Sequence, residues 1–251
     1  MAAAVIGWAG LTVASCGPSV ADFLDEKRFD AEQKLAKVAE VRELLAKTEP
    51  IKTEGLTDPG EPIRICDLLY QPFGAQSCNT WIIDAAQLND AGRFRDRREV
   101  SFGDASWLVV ATALLTTGRN PPTSVAPEGE EPAGVGMRIE GVFRWLGDIR
   151  FLFVVRTREV LRPTIEAGGK AYKAGHFKGE VLLYDLAGAS YLGGALFEYR
   201  MSGTASVQMR KGANSSPDLD LQFARGARQA VVNRIAQYVT LTEGAESKGR
   251  R

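Results

Sequence analysis

The chain has 251 residues, 45% of them hydrophobic and 25% charged, which are the proportions of a globular protein able to bury a core without staples. Lys plus Arg and Asp plus Glu each number 31, so no net field draws in nucleic acid or an acidic substrate. The longest apolar runs, residues 2–14 and 107–115, fall short of the roughly 18 residues that a membrane-spanning helix needs.

The first of these runs, AAAVIGWAGLTVA, is uncharged and has the length and character of the apolar part of a signal peptide, which spans about 7 to 15 residues before small residues at a cleavage point. It ends at Val13-Ala14-Ser15-Cys16 and then breaks into Gly17-Pro18-Ser19. Residues 1–16 resemble the lipobox-bearing N-terminus of bacterial lipoproteins, with an aliphatic residue, two small residues and then cysteine. The resemblance implies a signal peptide over residues 1–15, with recognition through Val13, Ala14 and Ser15. It also implies diacylglycerol on Cys16 and acylation of the new N-terminus; more than one acyl chain gives stable anchoring. Gly17, where Asp would favour the inner membrane, points within that family to the outer membrane, facing the periplasm. A membrane contact through Cys16 and an envelope-protein partner follow, with no nucleic acid. The sequence departs from the family in having no Lys or Arg before the apolar run. Read without the resemblance, residues 2–14 would be a buried strand or helical turn and Cys16 a small core hydrophobe. No family resemblance extends to the globular part.

With Cys16 lipidated, Cys66 and Cys78 remain as an even pair in an oxidising compartment. A bridge between them would stabilise the fold by about 3 kcal/mol in the chain-entropy account. The alternative is two unpaired core thiols. No C-x-x-C or neighbouring His accompanies them to suggest a metal or redox site.

Residues 16–50 read as the anchor followed by a long amphipathic helix. Residues 22–47 contain no Gly or Pro and many strong helix formers, with Leu24, Ala31, Leu35, Val38 and Leu45 forming a stripe. Arg28 and Arg42 interrupt a strict heptad. Ser19 is placed to cap the helix and Glu49-Pro50 to stop it. One apolar face suits a helix laid on its own domain or, alternatively, docked on a partner helix. Residues 51–103 carry many turn signals around short apolar pieces and read as loops with short strands. Arg93, Arg95, Arg97 and Arg98 surround Phe94, but Asp90, Asp96 and Glu99 dilute the cluster into a solvated face. Residues 104–118 read as a buried helix capped by Asp104 and ended by Gly118. Residues 119–135, dense in Pro, Gly and Glu, read as a mobile loop.

The strongest strand signals come next. Residues 148–161 are rich in β-branched and aromatic residues, apolar on both faces in the first half, and end before Pro163. Residues 179–186 and 191–201 flank Ala187-Gly188-Ala189-Ser190 as a hairpin. A final helix is expected over residues 218–239, with Phe223, Ala227, Ala230, Val231, Ile235 and Tyr238 on one face. The stretch from Thr242 onward reads as a disordered tail, with the domain boundary at residue 242 and the tail proper at 243–251. Strands preceded and followed by helices predict an α+β fold: a single domain over residues 51–242, built as an antiparallel sheet with covering helices.

No catalytic motif emerges, and no cofactor is implied. His176 is the only histidine and is expected to open a strand. Gly188–Leu192 fails the nucleophile-elbow pattern at its last position, and Gly168-Gly169-Lys170 lacks both the earlier glycine and the hydroxyl of a phosphate-binding loop. Glu180, Asp185 and Glu198 fall on strands and could in principle pair for acid–base hydrolysis of a glycan, although charges on the wet side of a sheet explain them more simply. The sequence thus favours a non-catalytic binding or assembly module over a carboxylate hydrolase.

Overall fold

The computed structural model describes residues 20–65, 78–90, 100, 102, 108, 111–112, 115–116, 143, 146–166, 172–202, 217–239 and 241–243. The expected signal peptide (residues 1–15), the arginine cluster at 93–98, the Pro/Gly/Glu-rich stretch at 119–135 and Gly168-Gly169-Lys170 lie outside the described residues.

Helix α1 (Val20–Lys47) is followed by β1 (Gly55–Leu56), β2 (Ile63–Ile65), β3 (Thr80–Asp84) and α2 (Ala85–Asn89). Strands β4 (Phe151–Leu161), β5 (Thr164–Ile165), β6 (Tyr172–Lys173), β7 (His176–Asp185) and β8 (Ser190–Arg200) then precede α3 (Pro217–Ala236) and β9 (Leu241–Glu243). The main sheet has the order β1-β8-β7-β4-β3-β2-β9, and β5 pairs only with β6.

The fold is α+β, but the sheet is mixed rather than antiparallel. β4, β7, β8 and β1 are antiparallel neighbours, whereas β3 runs parallel to β4, and β2 runs parallel to both β3 and β9. A parallel pair needs a long crossover. Residues 85–150 provide one between β3 and β4, with α2 and the helical positions 108, 111–112, 115–116, 143 and 146–148 along it. That last helical turn also delays β4 to Phe151, three residues after the expected start. At the far edge, the chain stays in the sheet through Glu243, so the expected tail begins later than Thr242.

Alternation along the central strands builds two apolar layers. Leu152, Val154, Leu182, Tyr184, Trp81 and Ile83 face one side, where Ala31, Val38, Val41 and Leu45 of α1 and Leu108, Ala111 and Leu115 cover them. Phe151, Phe153, Val155, Val181, Leu183 and Ile82 face the other, under Phe223, Ala227, Val231 and Ile235 of α3. The first half of β4 is therefore covered on both faces, as its composition requires. The stripe of α1 lies on its own domain: Ala31, Val38 and Leu45 are buried and Leu35 partly so. Arg28, one of the heptad breakers, donates to the carbonyl of Leu115 at 2.8 Å.

The β7–β8 hairpin turns at residues 186–189, and a bulge follows in β8, where Leu183 pairs with Gly193 but Tyr184 with Tyr191. Here β1 joins the sheet: Thr57 donates its N–H to Leu192 at 2.8 Å, and Leu56 pairs with Gly193. Gly193 has φ +122°, and a Cβ there would sit 2.1 Å from the carbonyl oxygen of Gly55. Gly193→Ala is accordingly expected to destabilise by at least about 2 kcal/mol, from backbone strain alone. Gly55→Ala, whose Cβ would point into open space, should change stability by no more than about 0.5 kcal/mol. Urea midpoints of the two variants check this, and equal midpoints would contradict the close approach.

Candidate functional site

The polar half of β4 carries Arg156 and Arg158 beside β7, whose residues run from His176 and Lys178 to a single buried acid, Glu180. Arg156 pairs directly with Glu180 and Thr157 with Gly179, but Glu159 pairs with Lys178, so Arg158 is the extra residue of a bulge. Both guanidiniums grip the carboxylate. Arg156 donates from Nε at 3.0 Å and from Nη2 at 2.5 Å to Oε2, and Arg158 donates from Nε and Nη2 to Oε1. Their remaining donors reach the chain just after α1. Arg156 Nη1 meets the carbonyl of Thr48 at 2.8 Å and Nη2 that of Glu49 at 2.9 Å, while Arg158 Nη2 meets that of Ile51 at 3.2 Å. The cluster thus satisfies carbonyls of the chain just past α1 and fastens that end of the helix to the sheet.

Two tyrosines adjoin it. Tyr184 is buried and shares a 3.2 Å hydrogen bond with the hydroxyl of Thr48, and its ring lies 5.4 Å from that of Tyr191. Burial raises both phenols above their ordinary pKa. Midway along α1, Lys34 donates Nζ to the carbonyl of Ile149, and burial lowers its pKa.

The three carboxylates considered for acid–base work have separate surroundings. Glu180 is 1% exposed with both oxygens occupied, not on the wet side of the sheet as expected, because residues 48–51 cover it. Asp185 ends β7, where it accepts from Arg150 at 3.3 Å and from the backbone N–H of Ala187 at 2.9 Å, which shapes the hairpin turn. Glu198 lies on the exposed end of β8, 2.9 Å from His176 Nε2 and 2.6 Å from Arg200 Nε. Lys178 pairs with Glu198 across the strands, so Glu198 is only a diagonal neighbour of Glu180. His176 opens β7, as its position in the sequence suggests, and its other nitrogen is 3.8 Å from Glu159.

The hydrogen bond from Arg200, and after it that from His176, holds the Glu198 carboxyl below its ordinary pKa. A carboxyl more acidic in the folded state stabilises the fold above its unfolded pKa and ceases to do so as pH falls through the folded one. The stability difference between wild type and Glu198→Gln is therefore expected to be present near neutrality and to shrink as pH drops below the ordinary value of 4.5. Denaturant midpoints across that range test it; a difference that grows with acidity would reverse the sign.

Cys16 and Cys66 lie outside the described residues. Cys78 is 3% exposed in the layer beneath α1, two residues before β3. Among the described residues no group of three or more His, Cys, Asp or Glu side chains is placed to hold a metal ion, and no helix is long and apolar enough to cross a membrane. The arginine pair was not singled out by sequence reasoning. Its signal was an Arg-x-Arg step in the polar half of one strand opposite a Glu in the next that is followed at once by the apolar run VLLY. In comparisons with protein-family models, curated proteins and solved structures, the chain matches none.

Proposed function

We propose that this protein is a lipid-anchored lipoprotein of the bacterial envelope, carried on Cys16 at the periplasmic side of the outer membrane. Its α+β domain serves as a non-catalytic binding or assembly module for another envelope protein. The observation that carries the reading is the Val13-Ala14-Ser15-Cys16 box after an uncharged apolar run, broken at once by Gly17-Pro18. Helix α1 starting at Val20 suits an anchor followed directly by a folded domain. In the oxidising compartment this implies, Cys66 and Cys78 form the one disulfide, which staples the chain entering β3. A carboxylate hydrolase is the weaker reading, because both oxygens of Glu180 are already taken by guanidiniums.

Mass spectrometry of the native protein is expected to find an acylated N-terminal Cys16, and a palmitate analogue should label wild type but not Cys16→Ser. An intact Met1, or equal labelling of the two, would defeat the reading.

A further inference from the structure

We infer that α1 is a stiff strut that fixes which end of the sheet faces the bilayer. The hairpin turn at 186–189 lies toward the lipid, and the charged end bearing His176, Lys178 and Arg200 points away. This rests on the lipid attachment at Cys16 proposed above and adds the orientation of the domain to it.

Three attachments prevent α1 from swinging on the sheet. Arg28 holds the carbonyl of Leu115, and Lys34 holds that of Ile149 just before β4. Arg156 holds the carbonyls of Thr48 and Glu49 behind the last turn. Between them Ala31, Val38, Val41 and Leu45 are buried. Since Lys34 meets the start of β4 and Thr48 meets Arg156 farther along it, α1 runs in the same sense as β4. Its N-terminal part continues beyond the level of Ile149. That is also the level of the hairpin, because Phe151 pairs with Asp185.

Chain length then sets the geometry. Cys16 precedes Val20 by four residues, which span at most about 14 Å when fully extended. From Val20 to Lys34 the helix rises about 21 Å. The far end of β7, at His176, lies about 30 Å beyond the hairpin. A strut lying flat on the membrane would lose this order. However, the exposed acids of α1 are balanced by its own bases, Glu26 with Lys27, Glu32 with Arg28 and Glu40 with Lys37, so the face offers no positive stripe by which an anionic leaflet would hold it flat.

The test uses full-length lipidated protein added to vesicles of phosphatidylethanolamine and phosphatidylglycerol that contain an acceptor-labelled lipid. A donor dye is attached through an azido amino acid at Gly188 or at Arg200, leaving the cysteines untouched. Energy transfer is expected to be several-fold more efficient from position 188 than from 200, and a second pair, Ala187 and Glu198, should repeat the order. Equal or reversed efficiencies, with the protein bound to the vesicles, would overturn the strut and leave the anchor standing. Wild type that does not bind at all would overturn the anchor and the strut with it.

Discussion

Replacing Arg156 and Arg158 together by methionine is expected to cost about 3 kcal/mol or more, because it strands a buried carboxylate without a counter-charge. Glu180 is 1% exposed, and among the described residues its oxygens accept hydrogen bonds only from these two guanidiniums. The same change releases the carbonyls of Thr48, Glu49 and Ile51, so the end of α1 should loosen as well. Adding Glu180→Leu to the double variant should restore much of the loss, since an apolar residue of similar volume has no charge to desolvate. Urea unfolding of the double and triple variants decides the matter. If the triple variant is no more stable than the double, the buried charge is not what the arginines are there to balance.

Phe177→Ala is expected to destabilise by about 4 kcal/mol, while Phe177→Leu should cost less than about 1.5 kcal/mol. Phe177 is buried in the layer under α3, with ring centroids 5.3 Å from Phe197 and 5.8 Å from Phe102. Its removal would leave a cavity that cannot easily collapse, since Phe197 is already held against the backbone at Gly179. Phe29→Ala is the control: at 67% exposure on α1 it should change the urea midpoint very little. Comparable losses at positions 29 and 177 would mean that this layer is not packed as described.

The parts of the fold legible in the sequence are those whose signal is local. Helical spacing in α1 and α3 and the apolar run of β4 name their own structure, and the β7–β8 hairpin shows itself through the turn between its strands. The parallel half of the sheet was not legible, because β2 and β9 have three residues each and their pairing joins distant stretches. A five-residue strand such as β3 cannot be told from a loop until its neighbour is known. The charged cluster failed for a related reason. Glu180 looks like any acid on a strand until the register places it opposite Arg156, the bulge adds Arg158, and the chain after α1 closes over all three.

The pairing of Ile63–Ile65 with Leu241–Glu243 has a consequence for how the molecule is made. A ribosome must release residue 243 before that edge can zip, so β2 waits for this partner while most of the polypeptide is still being synthesised. Such distant pairing folds slowly and leaves strand edges open to the wrong neighbours in the interval. The outermost strand of the sheet at that edge is therefore also its last to be made.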